Sequence, residues 1–342
     1  MKPMTVTGLS GISSVYIGES LKNLPKYVPK GDVVIITDEN VHKLYGSLFP
    51  SDRVIEIVPG DENKNIEALV KIYDRLIELE ADRSTFIAGI GGGMVCDVAG
   101  VAASTYMRGL RYGFVATTLL AQVDAAIGGK NGVNFRGYKN IVGLFNQPEF
   151  VICDTDTLKT LPEREVRCGL AEAVKYALIA DNGLCCYLDS NREKVTALEE
   201  STIKKIVCDS VRIKSEIVNK DEKEHGERRK LNFGHTLGHA VERNYPLVHG
   251  EAVSIGMAFA ADLSVRKGLL PDEEAVRIKT LLHGIGLPVS LKMDKQLVFD
   301  SMRKDKKKEK ETIRFVLLNA IGRATVQQMT IGELKEAFDD LC

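Results

Sequence analysis

The chain has 342 residues, a formal net charge of -1, 44% hydrophobic and 27% charged residues. That length predicts two domains, and interspersed charges of both signs exclude a protein that binds nucleic acid or a membrane surface through a dominant basic face. Seven cysteines without a C-x2-C pair, Cys185 and Cys186 adjacent among them, read as reduced thiols; with no apolar signal core or membrane-length stretch, the expected address is the cytoplasm.

The first half alternates short β-branched runs with helical patterns. Val33 to Thr37, Val54 to Val58, Thr85 to Ile90 and Phe150 to Asp154 read as strands. Ile66, Leu69, Val70, Tyr73, Leu76 and Ile77 recur at helical spacing, as a crossover helix requires. This rhythm predicts an α/β, Rossmann-like domain on a parallel sheet over residues 1–160. After the third run comes Gly89-Ile90-Gly91-Gly92-Gly93, opening a helical pattern that carries Asp97. Strand, glycine turn and helix is the arrangement that brings backbone N–H groups to a pyrophosphate, although a bare tight turn has the same spelling. Asp38, at the end of the first run, suits either a ribose hydroxyl or a helix N-cap.

Beyond Pro162 the periodicity turns helical as far as about residue 285, with breaks at Asp181-Asn182-Gly183, Asp221 to Gly226 and Gly284-Ile285-Gly286. Residues 161–342 are therefore expected to form a mostly α-helical C-terminal domain. It carries one late β-like run, Ile313 to Leu318, after the charged stretch Arg303 to Glu311, and a last helix from about Ile331 to Phe338. Within it, His235, His239 and His249 place three of the six histidines inside fifteen residues. His235 and His239 share a helix face, which suits a metal site or two ordinary hydrogen-bonded histidines. Thr236 follows His235, so the water-activating glutamate of an H-E-x-x-H site is missing.

Several strings in order, Gly91-Gly92-Gly93-x-x-x-Asp97, Tyr106 to Gly109, Thr117 to Asp124, Gly128-Gly129-Lys130, Gly169 to Glu172, Leu231 to His239 and His249 to Ala252, together resemble the 3-dehydroquinate synthase family. The resemblance runs from about residue 30 to residue 325. It implies an NAD-dependent, zinc- or cobalt-dependent lyase of the shikimate pathway. Such an enzyme converts 3-deoxy-D-arabino-heptulosonate 7-phosphate to 3-dehydroquinate by transient oxidation at C5, phosphate elimination, re-reduction, ring opening and intramolecular aldol closure.

Carried over position by position, the resemblance implies Glu172, His235 and His249 as metal ligands, with His239 moved to proton handling beside the phosphate. Lys130, Asn140, Asn232, His239 and Lys306 would gather round the phosphate, and Arg108 would reach over from a second subunit of a homodimer. Lys214 and Arg228 would hold the substrate carboxylate, a task for charge-assisted donors. Asp124, Lys175 and Glu224 would address hydroxyls near the metal. For NAD it implies Asp38, Asn40, Asp61, Lys64, Gly92, Gly93, Asp97, Thr117, Thr118, Lys130, Lys139 and the stretch Thr157-Leu158-Lys159-Thr160. Three departures from the family pattern bear on NAD: Asp61 replaces glutamate, Cys96 replaces glycine, and Tyr138 replaces glycine before Lys139-Asn140. The partner is a small sugar-acid phosphate, with no nucleic acid and no membrane. The rival enzymes are another sugar phosphate cyclase, whose neutral-headed substrate leaves Lys214 and Arg228 without a purpose, and a metal-dependent polyol dehydrogenase, which would accumulate NADH.

Overall fold

The computed structural model describes residues 3–305 and 312–341, so Lys306 lies outside the described residues. The chain divides into two compact units, one of residues 1–162 with 214–223 and one of residues 163–213 with 224–342.

In the first unit the strands are β1 (Met4–Gly8), β2 (Gly11–Ile17), β3 (Val33–Asp38), β4 (Val54–Ile57), β5 (Phe86–Gly91), β6 (Tyr112–Ala116), β7 (Lys130–Phe135), β8 (Tyr138–Phe145) and β9 (Phe150–Cys153). The helices between them are α1 (Glu39–Tyr45), α2 (Ile66–Glu78) and α3 (Gly93–Thr105). Seven strands form one sheet in the order β1-β2-β9-β6-β5-β3-β4, parallel except for the β1–β2 pair. Every residue of β3, β5, β6 and β9 is buried, as strands covered on both faces must be, which is why they are spelled as apolar runs. The four strands expected from sequence are present. The structure adds β1, β2, β6 and the separate two-stranded ribbon β7–β8.

The order of β4, β3, β5 and β6 sets the geometry of a site. From β3 the chain goes to the sheet edge at β4 and returns through α2 to β5 on the other side of β3. The crevice beyond the carboxyl ends of β3 and β5 is therefore the topological switch point, where open α/β sheets take their ligands. Asp38 ends β3 and the glycine turn ends β5.

The second unit contains α4 (Glu163–Ala180), α5 (Asn182–Ser190), α6 (Arg192–Thr196), most of α7 (Glu200–Lys220), α8 (His235–Asn244), α9 (His249–Arg266), α10 (Asp272–Gly284), α11 (Lys295–Asp305) and α12 (Ile331–Leu341). One antiparallel hairpin, β10 (Thr312–Ala320) with β11 (Arg323–Thr330), completes it. Asp181 starts α5 by accepting the Leu184 N–H at 3.0 Å, so the break expected at Asp181-Asn182-Gly183 is a helix cap. Helix α9 is apolar almost all round and lies in the core.

Close approach of α9 to two neighbours depends on glycine. A Cβ on Gly250 would lie 2.4 Å from the Cys168 Cα of α4, and one on Gly256 would lie 1.8 Å from the Gly234 carbonyl oxygen just before α8. Only hydrogen fits at these two positions. The consequence is that the first turns of α8 and α9 and the middle of α4 face a common point.

Candidate functional site

That common point holds a carboxylate and two imidazoles. Glu172 of α4 presents Oε1 3.5 Å from His235 Nε2 and 3.3 Å from His249 Nε2. The three side chains offer donor atoms within 4.8 Å of one another, close enough to share one ion. A second overlapping group, His239, Glu242 and His249, meets the same test. The His235 ring lies 5.3 Å from that of His239 and 5.4 Å from that of His249.

The tautomers favour the first group. His235 Nδ1 is 3.0 Å from the Phe233 carbonyl, which can only accept, so Nδ1 carries the hydrogen and the Nε2 lone pair faces Glu172. Burial, with the Lys175 ammonium near by, holds the His235 pKa down to about 3 and keeps the ring neutral, as a metal ligand must be. His249 Nδ1 is 3.4 Å from Glu242 Oε2, leaving its Nε2 toward Glu172. Burial opposes a charge on His249, but the Glu172 and Glu242 carboxylates outweigh it and raise the pKa to about 9. The start of α9 is itself fixed, because Glu251 accepts the Val248 N–H at 3.2 Å and pairs with Arg164. Lys175, one turn along α4 and 2% exposed, ion-pairs with Glu172. The donor chemistry fits a divalent ion, with one anionic ligand, the neutral His235 nitrogen, and a His249 nitrogen that exchanges its proton for the ion on binding.

Glu242 was not anticipated from sequence. It stands three residues after His239 and seven after His235 on α8, the same helix face, and that spacing was the available signal. Near by, Asn232 donates to Glu224, and Arg228 is 1% exposed. All these residues belong to the second unit.

In the first unit, Gly92 caps α3 without a side chain, leaving the first-turn N–H groups of a 13-residue helix for a ligand. A Cβ on Gly92 would lie 2.9 Å from Thr118, and one on Gly93 would lie 2.8 Å from Ala125, so the turn packs directly on the Thr117-Thr118 loop. Thr157 Oγ1 donates to the Thr117 carbonyl at 3.1 Å, joining the 155–160 turn to that loop. Leu158 is buried there, while Lys159 is exposed and paired with Asp156 at 2.6 Å. Asp38 accepts the Val41 N–H at 3.0 Å and is thus an N-cap at the switch point, its carboxyl raised by burial. Asn40 is exposed beside it. Cys96 is buried, with Sγ 3.9 Å from the Gly91 carbonyl, so its side chain fills core.

Five expected residues form two polar groups. Lys64 ion-pairs with Asp97 and donates to Asn140 Oδ1 at 2.6 Å, and Lys139 Nζ lies 3.0 Å from Asp61 Oδ2. Burial raises the Asp97 carboxyl although Lys64 opposes the shift. Lys214 pairs with Asp124 at 2.6 Å and donates to its carbonyl at 2.7 Å. Lys130 and Asn140, both expected at the phosphate, occupy different ends of the ribbon: Lys130 opposes Phe145, whereas Asn140 lies near the turn between Phe135 and Tyr138. Arg108 is exposed in a turn where Met107, Arg108 and Gly109 all have positive φ (48°, 73° and 120°).

Comparisons with known proteins give one pattern. The family models for the 3-dehydroquinate synthase N-terminal and C-terminal regions match residues 54–168 and 169–308. A 3-dehydroquinate synthase of Ruminiclostridium cellulolyticum is 41% identical over 327 residues, covering 90% of this chain and 89% of the relative. The 2-epi-5-epi-valiolone synthase of Streptomyces hygroscopicus, solved with NAD+ and Zn2+ bound, is similar in structure with a TM-score of 0.89 at 28% identity, covering 99% and 98% of the two chains. A 2-deoxy-scyllo-inosose synthase solved with carbaglucose-6-phosphate, NAD+ and Co2+ matches with a TM-score of 0.86 at 26% identity, covering 99% and 100%.

Proposed function

Because the chain belongs to the 3-dehydroquinate synthase family, we propose that it converts 3-deoxy-D-arabino-heptulosonate 7-phosphate to 3-dehydroquinate with release of phosphate. It does so as an NAD- and divalent-metal-dependent lyase. The observation that carries this reading beyond the family likeness is the convergence of Glu172, His235 and His249 on one point. When bound, NAD supplies a hydride acceptor that later gives the hydride back, and zinc or cobalt supplies a Lewis acid for developing oxyanions.

The residues of this chain supply binding, orientation and proton handling. Glu172, His235 and His249 hold the metal; the Phe233 carbonyl and Glu242 orient the two rings. The glycine turn, Asp38, Asn40, Asp61, Lys64, Asp97, Thr117, Thr118, Lys130, Lys139 and residues 157–160 form the NAD side. His239, Lys130, Asn140, Asn232 and Lys306 take the phosphate, where the His239 imidazole serves as proton donor or acceptor near neutral pH. Lys214 and Arg228 take the carboxylate, and Asp124, Lys175 and Glu224 position hydroxyls. Arg108 acts on the partner's substrate in a homodimer, its exposed turn supporting that reach.

The six described cysteines are free thiols, and among the described residues no helix is long and apolar enough to cross a membrane; both support a cytoplasmic setting. The assay mixes protein, NAD+, zinc or cobalt and the heptulosonate phosphate, and measures phosphate, dehydroquinate and NADH. Equal phosphate and dehydroquinate without net NADH is the expected result. Accumulating NADH would favour a polyol dehydrogenase, and turnover of only a neutral-headed sugar phosphate would favour another cyclase.

A further inference from the structure

The two halves of the first unit's polar network meet at a residue with no role so far, Asn134 near the end of β7. Its Nδ2 donates to the Asp61 carbonyl at 3.0 Å and to Asp61 Oδ2 at 3.2 Å. Its Oδ1 accepts the Asn140 N–H at 3.0 Å. Its own N–H donates to the Lys64 carbonyl at 2.7 Å, and it forms an isolated parallel bridge with Asn65. Asn140 has φ +50°, a left-handed conformation that asparagine tolerates and that a fixed N–H bond helps hold. The Asn140 side chain then accepts from Lys64, whose ammonium also pairs with Asp97 on α3. One amide thus ties the turn 61–65, the ribbon and, through Lys64, the helix that opens on the glycine turn.

We propose that Asn134 is a positioning residue that locks the turn 61–65 to the β7–β8 ribbon, so that NAD binding and substrate-phosphate binding are linked through it. This rests on the reading above that Asp61, Lys64 and Lys139 face NAD while Lys130 and Asn140 face the phosphate. An amide is required because one side must donate, to Asp61, and the other must accept, from Asn140. No other side chain of this size does both toward fixed partners.

The test uses the full-length, metal-loaded protein and Asn134→Asp, which keeps the volume and the acceptor but sets a second carboxylate against Asp61. NAD+ affinity measured by titration calorimetry falls roughly tenfold, the loss expected for one hydrogen bond to a charged group replaced by repulsion, and KM for the heptulosonate phosphate rises. Zinc affinity, set by the other unit, is unchanged. Asp61→Asn with Asn134→Asp restores a donor facing an acceptor, so the double variant loses less NAD+ affinity than the losses of the two single variants summed. A folded Asn134→Asp protein with unchanged NAD+ affinity and KM, or a double variant in which the two losses merely add, overturns the proposal. Hydrogen exchange on the unaltered protein needs no variant: added NAD+ protects residues 61–65 and 130–145 together, and protection of the turn with the ribbon unaffected also overturns it. The NAD+ measurements do not require turnover, so a protein that binds NAD+ yet releases no phosphate tells against the proposed activity and not against Asn134.

Discussion

Replacing Glu242 by glutamine should weaken metal binding while leaving the ligands themselves in place. The Glu242 side chain is 8% exposed and its Oε2 stands 3.4 Å from His249 Nδ1. The carboxylate therefore fixes the ring and raises the basicity of the nitrogen that faces Glu172. Loss of such a partner generally costs between 10- and 100-fold in metal affinity, roughly 1.4 to 2.8 kcal/mol. The contact is long for a charge-assisted hydrogen bond, and glutamine retains an acceptor oxygen, so the expected loss lies near the lower figure, about tenfold. Zinc competition with a chelator of known affinity, at fixed pH, measures it directly. The cobalt-substituted protein gives a second readout, because a reoriented imidazole changes the visible ligand-field spectrum. Unchanged affinity and spectrum in a folded Glu242→Gln protein would refute the reasoning, since His249 would then need no support from α8.

Three further outcomes follow from the same geometry. His239→Asn should keep metal affinity within about threefold and lower turnover by roughly 100-fold or more, as expected for loss of an acid-base group; a matching loss of metal affinity would make His239 a ligand. Gly93→Ala places a Cβ 2.8 Å from that of Ala125, so calorimetry should find NAD+ binding weakened at least tenfold with zinc binding intact, and full NAD+ affinity would remove the glycine turn from the site. Glu222 accepts from Leu9 N–H at 2.7 Å and from the Ser10 hydroxyl, and although burial opposes it these bonds lower its carboxyl below the ordinary value of 4.5. Its contribution is thus fully present above about that pH and is lost as pH falls through the lower folded value. Glu222→Ala should cost about 2 kcal/mol at neutral pH, read from denaturant unfolding, and should flatten the acid limb of the stability curve; an unaltered acid limb would contradict the assignment.

The sequence was most readable where one physical demand dominates the spelling. Strands β3, β5 and β9 are buried on both faces, so their apolar runs stand out, and the glycine turn after β5 lies where the pattern placed it. The ribbon β7–β8 escaped because Lys130 to Phe145 mixes glycine, asparagine and lysine with apolar residues on a mostly exposed pair of strands, which leaves no clean alternation. Strand β11 carries two glutamines in a half-exposed hairpin. Glu172, His235 and His249 came from the resemblance, and three-dimensional packing explains them: Gly250 and Gly256 let α9 approach α4 and α8 closely enough for their side chains to meet. The Lys64–Asp97 pair spans 33 residues and the Asn134 contacts span 73 and 6. Local periodicity carries no record of such pairings. Neither Asn134 nor Glu242 was singled out from sequence; their partners in the structure distinguish them.

The central claim is that Glu172, His235 and His249 hold the catalytic metal. Anomalous diffraction from crystals of the cobalt- or zinc-loaded protein locates that ion without reference to activity. The account predicts one peak bonded to Glu172, His235 Nε2 and His249 Nε2 at about 2.0–2.2 Å, with His239 outside bonding distance. A peak held instead by His239, Glu242 and His249, or no ordered ion at saturating metal, would contradict it.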